Sequence, residues 1–299
     1  MIWRKPGFIF CLAMIACSLW ASAAPFIKKG YMYFSITTTP SILVYAGLRF
    51  FLAGCLVLCF AKFRTEKPTS QKLNWKHVLI LAFCQTAGQY FFYYIGLAHT
   101  SGVSGSIICG MGSFFALLMA CLIFHSEKMT MQKLLGVLCG FVGIVWLNLG
   151  GDMGGTIFGN SFVLISQISS ACSTCFINRF TQKEDPVLLS GSQFCVGGCI
   201  LMGIGLALGG TFPHGAWQGY LVLLHLACVS AIAYTLWSLL LAHNPVSKIG
   251  IYNTMIPVLG VFLSALILGE TKQAFSIRTW IALAFVSSGI LVLNKIKSA

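Results

Sequence analysis

Charge is what this 299-residue chain lacks. It holds six aspartates and glutamates, and the four charged residue types together make up 8% of it, against about 25% in an ordinary soluble protein. So little charge cannot cover a water-facing surface, so the chain needs lipid around it. Motifs are missing too. The phosphate cradle G-x-x-x-x-G-K-[ST] does not occur, which excludes direct ATP hydrolysis by the known loop chemistry. There is no His-Glu-x-x-His and no pair of aspartates within an apolar run. The reading is therefore of a protein that is not an enzyme, with no cofactor. No acid falls deep inside any apolar run, which argues against a carboxylate-based proton antiporter.

What is present is apolar. Hydrophobic residues form 58% of the chain and gather in ten runs, near 7–27, 40–61, 75–98, 102–124, 131–149, 157–178, 187–208, 217–241, 249–268 and 278–294. A spanning helix needs about 20 residues, and backbone in lipid must satisfy its own hydrogen bonds. The expected fold is an all-α integral membrane protein with ten transmembrane helices. All 13 cysteines lie inside these runs, where they read as small, soft packing residues rather than a disulfide framework. Arg4, Lys5, an apolar stretch and Ala21-Ser22-Ala23 resemble a signal peptide. We read them as an uncleaved first helix, because removing it would leave one half of the chain a helix short.

The net charge of +13 has an explanation in topology and needs no nucleic acid. With the N-terminus cytoplasmic, fourteen of the 19 lysines and arginines fall in inside segments and four outside, leaving Arg49 alone within a span. The positive-inside rule favours that orientation. Both termini are then cytoplasmic, in a multi-pass protein of the cell (plasma or inner) membrane.

The chain also repeats itself. LAHTSGV at 97–103 answers LAHNPV at 241–246, and each leads through an apolar run to an acid, Glu127 or Glu270. Gly47, Phe50, Gly54 and Cys55 match Gly191, Phe194, Gly198 and Cys199 at a separation of 144. Five spans per half is an odd number, so residues 1–150 and 151–299 form two five-helix repeats of opposite orientation. Inverted repeats are a common plan of secondary transporters, with the binding site near the midplane between the halves.

With Trp20 in the first span, an arginine in the second, and a short turn, apolar helix and terminal glutamate in both halves, the chain resembles the EamA family of the drug/metabolite transporter superfamily. The pattern departs from symmetry where Phe114 in the fourth span stands opposite Pro257 in the ninth. The resemblance implies export or exchange of small metabolites through a central cavity by alternating access, without ATP. Its partners would be a small-molecule substrate and the lipid bilayer; the sequence leaves self-association open.

Several residues bear on that cavity. Arg49, costly at mid-membrane by at least about 2.5–3.5 kcal/mol, has two readings. Either it holds a substrate anion or caps carbonyls along the path, or it anchors the second helix to its neighbours. Gln85, Gln89 and Tyr93 recur every four residues and share a helix face, beside Tyr90 and Tyr94; they line a site or bond between helices. The eighth span offers His225, Tyr234 and Trp237, with His225 either carrying a proton or bonding a carbonyl. Asn253 and Pro257 in the ninth span mark a kink or an opened backbone. Trp20 walls the cavity or packs between helices. Glu127 and Glu270 are gating ion pairs or boundary residues, and Lys28 and Lys29 an anion funnel or interface anchors. The cavity is expected between the third, fourth, eighth and ninth spans, with the first, second, sixth and seventh as moving flanks. Many aromatics and few charges favour neutral, zwitterionic or mildly anionic cargo, amino acids first. A membrane-embedded enzyme and a channel-like accessory protein are the alternatives.

Overall fold

The computed structural model describes residues 2–63, 73–125, 128–148 and 155–294. Among them every regular element is helical. The long helices are α1 (Pro6–Tyr33), α2 (Thr39–Phe63), α3 (Trp75–Ala98) and α4 (Gly102–Leu122). After α5 (Met131–Asn148) come α6 (Ile157–Phe180), α7 (Pro186–Ala207), α8 (Trp217–His243) and α9 (Lys248–Leu268), then α10 (Ile277–Asn294). Eight are long and apolar enough to cross a membrane; α5 and α10 are shorter apolar helices. Glu127 and the link at 149–154 fall outside the described residues.

Local chemistry sets the helix starts. Pro6 and Pro186 occupy first turns, where the missing N–H costs nothing. Asn74, Ser101, Thr156 and Asp185 accept from the free amides of the turn that follows each of them, as capping residues do. Gly269, at φ +73°, ends α9 in the left-handed conformation that glycine adopts without penalty.

The core of the bundle is an antiparallel pair, α2 against α7. A Cβ on Gly47 would lie 2.6 Å from the Gly198 carbonyl oxygen, and one on Gly198 would lie 2.7 Å from the Gly47 oxygen. Further along, Gly54 meets the backbone of Gly191 and Cys195. Lipid supplies no hydrophobic drive between helices, so small residues that let backbones approach carry the association. α5 and α10 pair in the same antiparallel sense, Gly143 against Ala282 and Gly289 against Gly136. α1 runs antiparallel along α8, joined by Trp20 to Trp237 and by Phe34 to Tyr220. α3 runs antiparallel along α6, with Phe92 on Phe162 and His77 on Phe180. The end of the bundle where α1 begins is here the near end, and the opposite one the far end.

Candidate functional site

α4 and α9 are both interrupted at matching places. α4 breaks at Gly110 between Gly102–Cys109 and Met111–Leu122. α9 is interrupted by a 3-10 turn at Ile251–Thr254, between the α-helical Val246–Gly250 and Met255–Leu268. Gly110 and Asn253 are 143 positions apart, as are Phe114 and Pro257. Pro257, buried and close to Gly110, has no N–H to return to the carbonyl four residues back. A third irregularity is a π-helix at Ala82–Gly88 within α3, a feature often found at functional sites. The Cys84 carbonyl, which accepts from the Gln89 amide across that wider turn, also accepts from Ser169 Oγ at 2.6 Å.

A cavity of about 130 Å³ lies where these interruptions meet. α3 contributes Gln85, Gln89, Tyr90 and Tyr93; α8 contributes Tyr234 and Trp237; α9 contributes Asn253; α1 contributes Trp20. Further walls come from Cys109 and the second part of α4 and from Gln167, Ser170, Ser173 and Thr174 of α6. None of the lining residues carries a formal charge. The lining runs from mid-bundle to Ile177, Leu241 and Val246, all towards the near end.

Internal bonds hold much of the wall. The hydroxyls of Tyr90 and Tyr234, 144 positions apart, bond each other. Gln193 Nε2 donates to Gln85 Oε1 at 2.9 Å, while its Oε1 accepts from Thr86 Oγ1 at 2.7 Å. Asn253 Nδ2 donates to Ser113 Oγ at 3.0 Å. Trp20 stands edge-on to Tyr234 and Trp237, with ring centroids 4.9 and 5.0 Å away. Three buried atoms of lining residues have no protein partner: the donor Trp20 Nε1 and the acceptors Gln89 Oε1 and Asn253 Oδ1.

Arg49, His225 and Pro257, singled out in the sequence, stand off the cavity. Arg49 is fully buried behind it. Its Nε donates to the Leu226 carbonyl at 3.1 Å and to Ser230 Oγ at 3.0 Å, and its Nη1 donates to Tyr94 Oη at 2.9 Å. It caps a carbonyl and ties α2 to α3 and α8. His225 is half-buried beside Ser22 Oγ, 3.3 Å away, with its ring 4.3 Å from that of Phe26. Pro257 backs the break in α4 rather than facing the space. α6, expected to be a flank, supplies a wall of the cavity.

The far end is closed by residues whose role the sequence left undecided. Lys28 Nζ donates to the carbonyls of Thr100 and Leu97, at 2.6 and 3.5 Å, the negative end of α3. The Glu270 carboxylate accepts from the amides of Gly102 and Val103 at 3.0 and 2.9 Å, the positive start of α4. Each charge matches the helix dipole it meets. Above the cavity, Tyr31, Tyr45 and Tyr94 pack edge to face. At the near end Asn178 Nδ2 donates to the carbonyls of Leu241 and Asn244, at 2.9 and 3.5 Å. Leu97 and Thr100 precede Leu241 and Asn244 by 144 positions each, so the same turn is clasped at both ends of the bundle.

The sequence profile of the EamA-like transporter family matches residues 7–149 and again 157–295, and the chain belongs to that family. An uncharacterized transporter of Archaeoglobus fulgidus is 24% identical over 91% of this chain and 92% of its own. A probable amino-acid metabolite efflux pump of Salmonella typhimurium is 26% identical over 90% of this chain and 88% of its own. The uncharacterized inner membrane transporter YedA of Escherichia coli K12 is 25% identical over 96% and 90%. A protein of known crystal structure superposes with a TM-score of 0.67 at 19% identity, over 96% of each chain, a likeness of fold alone. The chain is thus a multi-pass membrane protein of a transporter family.

Proposed function

We propose that this protein is a secondary transporter that exports amino acids or closely related metabolites across the cytoplasmic membrane by alternating access, without ATP. The observation that carries the reading is the uncharged cavity at the paired breaks of α4 and α9. Discontinuous helices in corresponding positions of two halves mark binding sites in transporters. A zwitterion suits this wall, because a net charge would enter an uncharged, half-apolar space uncompensated. The free donor on Trp20 matches a carboxylate, and the free acceptors on Gln89 and Asn253 match an ammonium group. The Salmonella relative's description as a probable amino-acid metabolite efflux pump points the same way.

Ten crossings in two inverted halves, 1–150 and 151–299, are part of the proposal. Contacts that repeat at 144 positions support it: Tyr90 with Tyr234, Arg49–Ser230 with Thr86–Gln193, and Lys28 and Asn178 on their matching turns. Cytoplasmic termini make the near end the inside, and the cavity then faces inward.

Counterflow in proteoliposomes tests the function. Vesicles loaded with the right amino acid accumulate its labelled form transiently, whereas a channel gives no such overshoot. Gln89→Ala is expected to raise the half-saturation concentration about tenfold, the loss of about 1.4 kcal/mol of binding, with membrane insertion unchanged. An unaltered half-saturation would remove Gln89 from the site.

A further inference from the structure

Arg49 carries a charge that its packing does not require. Gln193, 144 positions later, makes the equivalent contact with a neutral amide: it bonds Thr86 on α3 as Arg49 bonds Ser230 on α8. Thr86 and Ser230 are themselves 144 positions apart. A neutral side chain therefore docks the matching pair of helices, α7 and α3. Nor is the charge neutralised. Among the described residues its contacts are a carbonyl, a hydroxyl, a phenol and the faces of Phe50, Tyr90 and Tyr94, with no carboxylate. Nη2 is buried and unpartnered. A mid-membrane cation is retained at a cost that normally marks a role in function.

The position of the charge suggests the role. The Tyr90 ring, 5.7 Å from the guanidinium carbon, lines the cavity. The cation stands one ring's thickness behind a wall that carries no charge of its own. We infer that Arg49 is a specificity-determining residue that acts through this wall by its field, drawing a substrate carboxylate towards Tyr90 and Tyr234 and excluding solutes of net positive charge. At an effective dielectric constant near 20, a unit charge about 10 Å away changes occupancy by about tenfold or slightly more. Burial keeps salt from screening it. The consequence for cargo rests on the transport reading above; the field itself can be tested without a substrate.

Cys109 lines the cavity and is partly exposed, so it can report the potential there in the otherwise native chain. The detergent-purified protein is treated with an anionic or a cationic methanethiosulfonate reagent of similar size. Rates at Cys109 are followed by mass spectrometry and divided by those of a small neutral thiol. The native protein should favour the anionic over the cationic reagent by about a hundredfold or more, about tenfold for each sign of charge, and Arg49→Gln, which copies the Gln193 arrangement, should bring the ratio close to one. A native ratio near one, or an unchanged ratio in Arg49→Gln, overturns the inference. Should Arg49→Gln fail to fold, Arg49→Lys keeps the charge and must keep the ratio; losing it overturns the inference equally. In counterflow, lysine should compete about tenfold less well than a neutral amino acid of similar size. If the thiol ratio behaves as expected while no amino acid exchanges, the field stands and the amino-acid reading falls.

Discussion

Gly198→Leu should leave no folded protein to purify, while Gly203→Leu, five positions along the same helix, should behave as the native chain does. A Cβ at 198 would lie 2.5 Å from the Phe51 nitrogen and 2.7 Å from the Gly47 oxygen. Both are backbone atoms of a packed helix, so neither can swing aside as a flexible side chain does. Even alanine there should cost about 1–3 kcal/mol in overpacking, and leucine adds three more carbons to the same crossing. A Cβ at Gly203 meets nothing within 4 Å. Elution of the detergent-solubilised variants as a single sharp peak, with their melting temperatures, measures the difference. Equal behaviour of the two leucine variants would show that α2 and α7 do not cross this closely.

The second large effect concerns the two clasps. Lys28→Ala should open the far end, and Asn178→Ala should do so much less, because the Asn178 bonds are made while the cavity already reaches the near end and so are no lock upon it. Lys28 brings a charged donor to the last carbonyls of α3, an interaction of about 1.5–3 kcal/mol, whereas Asn178 offers a neutral amide worth about 0.5–1.5 kcal/mol. The expected shift towards the far-open state is on the order of 10–100-fold for Lys28→Ala and no more than about tenfold for Asn178→Ala. Membrane-impermeant labelling of Cys109 from either face of sealed vesicles reads both. Labelling from the far face that rises strongly in Lys28→Ala and little in Asn178→Ala is the predicted pair. Equal rises in the two variants would mean that Lys28 is not what holds the far end closed.

Much of this site could be read from residues alone, since polar side chains in apolar runs are few and must find partners. Gln85, Gln89 and Tyr93 stood out by spacing, and Trp20, Tyr234, Trp237 and Asn253 by position within their spans; all line the cavity. Ser170, Ser173 and Thr174 of α6 escaped notice because serine and threonine also pack silently between membrane helices by bonding their own backbone, as Ser173 does with the Ser170 carbonyl. Their three- and four-residue spacing, with Gln167 one turn earlier, was the available signal. For Arg49 the sequence showed a charge that had to face protein. It could not tell which side of α2 the arginine occupies, because α2 is apolar all round and its direction is set by Ser230 and Tyr94 on other helices. The π-turn in α3 had no mark in composition, since its extra width is stabilised by a neighbour, Ser169, rather than by local propensity.

That turn makes the halves unequal, because the corresponding stretch of α8 lies within one continuous helix, Trp217–His243. In a carrier that moves its cargo uncoupled, detailed balance forbids such lopsidedness from building a standing gradient. It can only divide the work differently between the two faces. The face that saturates at the lower concentration must also have the lower maximal rate, in the same proportion. A modest tilt in the resting conformation is then enough to make the protein a sensitive but slow importer and a coarse but fast release valve, with the cell's own gradient deciding which of the two is seen.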